Sequence, residues 1–101
     1  MIAMYILRCA DGSYYVGSTR NLEGRMLQHS LGQGSEYTKR RMPVELVFAQ
    51  ECGDVGEAYA LEKKVQGWSR TKREALIRGE LHLLPGLSRK VFRRDRDSGG
   101  G

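Results

Sequence analysis

Residues Ile2 to Cys9 are apolar on both faces of an extended chain, with Ile2, Met4 and Ile6 alternating against Tyr5, Leu7 and Cys9. A strand of that kind needs a covering layer on each side, so it is expected to be central in its sheet. With 101 residues and 40% hydrophobic composition, the chain can build one such core but not two. One domain follows. No run of about 18 apolar residues exists to span a bilayer, and Met1 to Tyr5 enters the strand without a basic stretch and cleavable apolar segment. A soluble, cytoplasmic protein with no membrane partner is expected. Cys9 and Cys52, lacking CxxC spacing, read as reduced, semi-buried small hydrophobes.

The strand is followed by a turn signal, Ala10-Asp11-Gly12, and by a returning strand from Ser13 to Thr19. Asn21 is a good N-cap for a helix whose apolar stripe is Leu22, Met26, Leu27 and Leu31, ending at Gly32. Residues 32 to 43 read as a polar loop, and Val44, Leu46 and Phe48 alternate into a third strand. Asp54 and Glu57 form a capping-box arrangement before a second helix with Val55, Ala58, Tyr59, Leu61, Val65 and Trp68 at helical spacing. Ser69 caps a third helix that ends at Gly79. Leu81, Leu83, Leu84 and Leu87 suit a short packed extension, and the segment from Arg89 to the final Ser-Gly-Gly-Gly reads as disordered. The fold class is therefore α+β, a three-stranded sheet in β-β-α-β-α-α order flanked by helices, with a domain over residues 1–84 and a basic tail over 85–101.

Charge alone says little. The net charge is +5, and Arg89, Lys90, Arg93, Arg94 and Arg96 against Asp95 and Asp97 place +3 of it in the tail. Three other features bear on chemistry. Glu62 falls where the pattern set by Val55, Ala58 and Tyr59 asks for an apolar residue. It is either an edge carboxylate paired with Lys63 or Lys64, or a ligand for a hydrated divalent cation. Arg25 and His29, four apart, share a helix face beside Leu22 and Met26. Finally, Tyr5 and Tyr15 sit on the two arms of the hairpin.

Ala3-Met4-Tyr5 followed by Tyr15-Val16-Gly17 resembles the paired signatures of the GIY-YIG nucleases, found in homing endonucleases and in the amino-terminal domain of the excinuclease C subunit. The family's arginine ten positions after the second tyrosine matches Arg25, a frequent histidine one turn later matches His29, and its metal-binding glutamate on a later helix matches Glu62. The segment Asp11 to Gly17, with Tyr37-Thr38, Arg41 and Pro43, is most similar to the small stand-alone bacterial branch. The similarity runs over about residues 3 to 80, and five positions keep register. Ala3 and Met4 replace the first signature's Gly and Ile. The asparagine many relatives carry after the glutamate has no counterpart among Lys72, Arg73 and Glu74.

The resemblance implies a DNA endonuclease, with a repair or recombination role. Glu62 would hold one Mg²⁺ or Mn²⁺ ion, Arg25 would neutralise charge on the phosphorane, and Tyr5, Tyr15 or His29 would take the proton of the attacking water. The residues leave the choice of base open. Lys39, Arg40, Arg41, Lys63, Lys64, Arg70, Lys72 and Arg73 are candidates for backbone phosphate contacts, with little sequence preference. The rival reading is a non-catalytic nucleic-acid-binding module of the same fold; a protein-interaction domain using its basic tail is a third. A shared tyrosine site also constrains the hairpin. A two-residue Asp11-Gly12 turn would put Tyr5 and Tyr15 on opposite faces, whereas a three-residue Ala10-Asp11-Gly12 loop with left-handed Gly12 puts them on one face. The three-residue loop is predicted.

Overall fold

The computed structural model describes residues 1–84 and 89–94. The hairpin β1 (Ala3–Arg8) and β2 (Tyr14–Thr19) leads into α1 (Leu22–Ser30), α2 (Glu36–Lys39), β3 (Glu45–Glu51), α3 (Val55–Gln66), α4 (Arg70–Ile77) and β4 (Val91–Arg93). The strands form one antiparallel sheet in the order β2-β1-β3-β4. β1 is interior, as its two apolar faces require. Met4 and Ile6 pack with Val16 against α3 and α4, while Tyr5 and Leu7 pack with Leu22, Met26 and Ala49 on the face that α1 covers.

The hairpin closes as predicted. Its partners sum to 22, from Ala3 opposite Thr19 to Arg8 opposite Tyr14. The Cys9 N–H donates to the Ser13 carbonyl at 2.8 Å, Gly12 N–H returns to the Cys9 carbonyl at 2.9 Å, and Gly12 has φ +85°. Both cysteines are buried and free.

The α+β class stands, but the sheet has four strands rather than three. Val91–Arg93, expected to be disordered, pair with Phe48–Gln50. Arg93 explains how a basic segment is held: its Nε donates to the Leu76 carbonyl at 3.1 Å, and its guanidinium lies 5.5 Å from the centre of the Phe48 ring. Residues 85–88 and 95–101, including Leu87, lie outside the described residues. Leu83 is buried, with Leu81 and Leu84 partly buried against the same cluster.

Two helical stripes are rotated from expectation. On α1 the inward residues are Leu22, Met26 and His29, spaced i, i+4, i+7, while Leu27 and Leu31 are exposed. On α3 they are Ala58, Leu61 and Val65, while Val55 and Tyr59 face outward. The caps hold: Asn21 Oδ1 accepts from Gly24 N–H at 3.1 Å, Asp54 Oδ1 from Glu57 N–H at 2.8 Å and Ser69 Oγ from Lys72 N–H at 3.2 Å. α4 ends before Gly79 at φ +85°. The polar loop contains an unforeseen turn of helix, α2, capped by Ser35. In β3, Val47 is an extra residue between the pairs Ile6–Phe48 and Leu7–Leu46, so Val47 and Phe48 join one core cluster and Leu46 the other. Among the described residues no helix is long and apolar enough to cross a membrane.

Candidate active site

The hairpin register sets Tyr5 and Tyr15 on one sheet face, ring centres 6.3 Å apart. His29 enters from α1, its ring centre 5.9 Å from each. The Tyr5 hydroxyl lies 3.3 Å from His29 Nε2, and His29 Nδ1 lies 3.2 Å from Thr38 Oγ1. Thr38 donates its own proton to the Ser35 carbonyl at 3.1 Å. With that proton on the Ser35 carbonyl, the Thr38 oxygen is an acceptor for His29 Nδ1–H, and in this tautomer Nε2 is the acceptor for the Tyr5 hydroxyl. His29 and Thr38 are both almost wholly buried.

Burial, reinforced by the neighbouring Tyr15, pushes the Tyr5 phenol up to about 12, against the opposing pull of Arg25. Burial, together with the charge of Arg25, pulls the His29 imidazole below its ordinary value. Both groups are thus held neutral at physiological pH.

Two glycines make room for this cluster. Gly17 stands opposite Tyr5 in the hairpin, and a Cβ there would lie 2.7 Å from the Tyr5 hydroxyl oxygen and 3.1 Å from Tyr15 Cε2. A Cβ at Gly34 would overlap His29 Nδ1. Tyr37 stacks on Tyr15 at 6.0 Å. Arg41 lies over Tyr37, 3.7 Å from the ring centre, and donates to Asp11 Oδ2 at 3.1 Å, tying the α2 segment to the hairpin turn.

Glu62 stands on the other sheet face, beside the same edge strand, β2. Its expected place in an apolar stripe is corrected by the rotation of α3, which puts it at the flank of the buried face, part-buried. Oε1 accepts from Ser18 Oγ at 2.6 Å and Oε2 from Gln66 Nε2 at 2.9 Å; Lys63 is more distant at 3.7 Å. Gln66 Nε2 also donates to the Val16 carbonyl at 3.1 Å, anchoring the carboxylate to β2. Arg25 lines an open groove of about 740 Å³ between α1 and α3, with Ser18 and Thr19 of β2 also contributing. Both Arg25 and Glu62 act electrostatically on Tyr5, Arg25 more strongly.

Tyr5, Tyr15 and His29 thus meet directly, Arg25 lies alongside, and Glu62 faces them around the edge of β2. The basic candidates are more scattered. Arg41 is held by Asp11 and Tyr37, Arg70 by Glu74 at 3.1 Å, and Arg73 by the carbonyls of Val65 and Gln66. Lys39 pairs with Glu36, Lys63 lies over Tyr59 and Lys72 over Trp68; Arg40 and Lys64 are exposed. Sequence reasoning named Thr38 only within the Tyr37-Thr38 motif, without a role, and missed Ser35 and Gln66. Signals existed for the latter two: Ser35 is a favoured N-cap residue, and Gln66 lies one helical turn beyond Glu62.

Fold and site together define a hairpin-based α+β domain with paired tyrosines at a glycine-relieved edge strand. Residues 1–75 match the GIY-YIG catalytic domain, and the chain belongs to that nuclease family. It is similar to a UPF0213 protein of Bacillus pumilus, 40% identical over 73 residues (72% of this chain, 74% of the relative). A UPF0213 protein of Staphylococcus saprophyticus is 40% identical over 74 residues (73% and 90%). The solution NMR structure of a UPF0213 protein from Bacillus halodurans matches with TM-score 0.50 and 38% identity, covering 75% of this chain and 81% of that one.

Proposed function

We propose that the chain is a metal-dependent endonuclease that hydrolyses phosphodiester bonds in DNA. The observation that carries this reading is the hydrogen bond between the Tyr5 hydroxyl and the acceptor nitrogen of buried His29. A phenol at about 12 keeps its proton at neutral pH, so alone it is a poor base. Linked to His29 it acts as a relay. As water attacks phosphorus, its proton passes to the Tyr5 oxygen and the Tyr5 proton passes to His29 Nε2, leaving the phenol neutral and the imidazole protonated. Thr38 accepts from Nδ1–H before and after the transfer. Tyr15, packed against both rings, keeps them in place, and Arg25 neutralises the charge that builds on the phosphorane oxygens.

Glu62 fits a hard divalent cation. Its carboxylate oxygens are hard donors, oriented by the Ser18 hydroxyl and the Gln66 amide N–H₂, with Lys63 at 3.7 Å the cation it would exchange for the metal. Among the described residues no group of three or more His, Cys, Asp and Glu side chains is placed to hold a metal, so one Mg²⁺ or Mn²⁺ would rest on Glu62, water and substrate. Bound there, the ion supplies Lewis-acid stabilisation of a phosphate oxygen and the leaving 3′ oxygen.

Lys39, Arg40, Lys63, Lys64 and Lys72 contact backbone phosphates in this reading, with Arg41, Arg70 and Arg73 contributing charge from fixed positions. Such contacts give steep salt dependence and little base preference. A repair or recombination role rests on family membership. The test is incubation with supercoiled plasmid and branched DNA, with Mg²⁺, Mn²⁺ or chelator, beside Glu62→Gln. Cleavage that needs both metal and Glu62 is expected. Binding without cleavage by either protein would favour the non-catalytic module instead.

A further inference from the structure

The groove between α1 and α3 has a composition that the cleavage reading does not use. Besides Arg25 it is lined by Arg20, Asn21 and Gln28 on one side and by Val55 and Tyr59 on the other, with no carboxylate in its wall. Arg8, Arg41, Arg70, Arg78, Arg89 and Arg94 are all in ion pairs and Arg73 and Arg93 are bound to backbone carbonyls, whereas Arg20 and Arg25, like the remote Arg40, form no ion pair among the described residues. Two uncompensated guanidinium groups on one wall call for an anion. The opposite wall calls for something flat and apolar: Tyr59 is 56% exposed and Val55 40%, outside the buried face that α3 forms with Ala58, Leu61 and Val65, and the Lys63 ammonium, 5.0 Å from the Tyr59 ring centre, adds a cation beside that aromatic surface. Asn21 Oδ1 is taken by its helix cap, which leaves its amide N–H₂ available, and Gln28 adds a second exposed amide.

Guanidinium groups opposite an aromatic face match a nucleotide with its base free. In a duplex the base faces are stacked on their neighbours and only phosphates and groove edges can be reached, so an exposed tyrosine has nothing to stack on. We infer that this groove seats an unpaired nucleotide next to the phosphate to be cut, the base against Tyr59 and the flanking phosphates against Arg20 and Arg25. The substrate is therefore single-stranded DNA, or the single-stranded segment of a branched one. The inference rests on the nuclease reading for its place in the reaction, and on the groove alone for binding.

Binding without chemistry separates the two. Fluorescence anisotropy with a labelled 12-nucleotide single strand and the same sequence as a blunt duplex is measured in chelator at fixed salt, for wild type, Tyr59→Ala, Tyr59→Phe and Arg20→Ala. The single strand is expected to bind at least about tenfold more tightly than the duplex, and Tyr59→Ala to lose about tenfold on the single strand only. Tyr59→Phe, which keeps the aromatic face, retains binding, and Arg20→Ala weakens it with a shallower salt dependence. Tyr59 is exposed, so circular dichroism should be unchanged in both variants. Equal or tighter duplex binding, or full single-strand affinity in Tyr59→Ala, would overturn the proposal even if metal-dependent cleavage is found. If Tyr59-dependent single-strand binding is found but Glu62-dependent cleavage is not, the groove stands and the nuclease reading fails.

Discussion

Gly17 shows how much of the site depends on one missing methyl group. With a Cβ 2.7 Å from the Tyr5 hydroxyl oxygen, Gly17→Ala forces the ring away from His29. The substitution is expected to cost about 1–3 kcal/mol of stability and to abolish cleavage while the fold survives; unaltered cleavage would refute this packing argument. Thr38→Val removes the acceptor for His29 Nδ1–H in a buried setting, at a cost of about 1–3 kcal/mol by denaturant unfolding. It should also release the tautomer, moving the proton toward Nε2, which ¹⁵N imidazole shifts report directly. An unchanged Nδ1–H tautomer would show that Thr38 does not set it. His29 carries a stability consequence as well. Because folding lowers its pKa, the unfolded chain binds the proton more readily, and the contribution of neutral His29 is complete above its ordinary value near 6.5. It is lost as pH falls from there through the folded value. His29→Gln should flatten the dependence of melting temperature on pH in that window, and an identical slope would contradict the burial argument.

At the scale of elements, caps and turns were the most legible parts of the sequence. Asn21, Asp54 and Ser69 cap helices as their side chains require, and Asp54→Ala is expected to destabilise the fold by about 1 kcal/mol, measured by thermal unfolding. The loop length was also legible, because only one register brings two tyrosines to one face. Helix faces were less so. Leu27 and Leu31 are apolar but exposed, while the buried position belongs to His29, a polar residue satisfied by Tyr5 and Thr38 at both nitrogens. Hydrophobic periodicity cannot foresee a buried histidine whose partners come from two other segments. The bulge at Val47 was hidden for a similar reason, since it is set by pairing with β1 rather than by local pattern. The anomaly read at Glu62 came from an α3 stripe rotated from the true one: the residue stands at the flank of the buried face, held by Ser18 and Gln66.

At the scale of the whole molecule, the sheet lies between α1 on one face and α3 with α4 on the other, and the catalytic candidates gather where both layers reach the edge strand β2. The opposite edge is covered by β4, a strand that charge composition disguised. A chain ending at Leu84 loses β4 and the Arg93 bond to Leu76, and uncovers the edge of β3. It should melt at lower temperature and self-associate more readily by light scattering, whereas unchanged behaviour would mean that β4 contributes nothing to the sheet. At the other edge, the proposed relay has Tyr5 pass a proton between water and His29. Single-turnover cleavage of a branched DNA by wild type and Tyr5→Phe under saturating Mg²⁺ tests it most directly. The variant should bind DNA as wild type does and cleave about 10²-fold or more slowly; cleavage at the wild-type rate would contradict the relay.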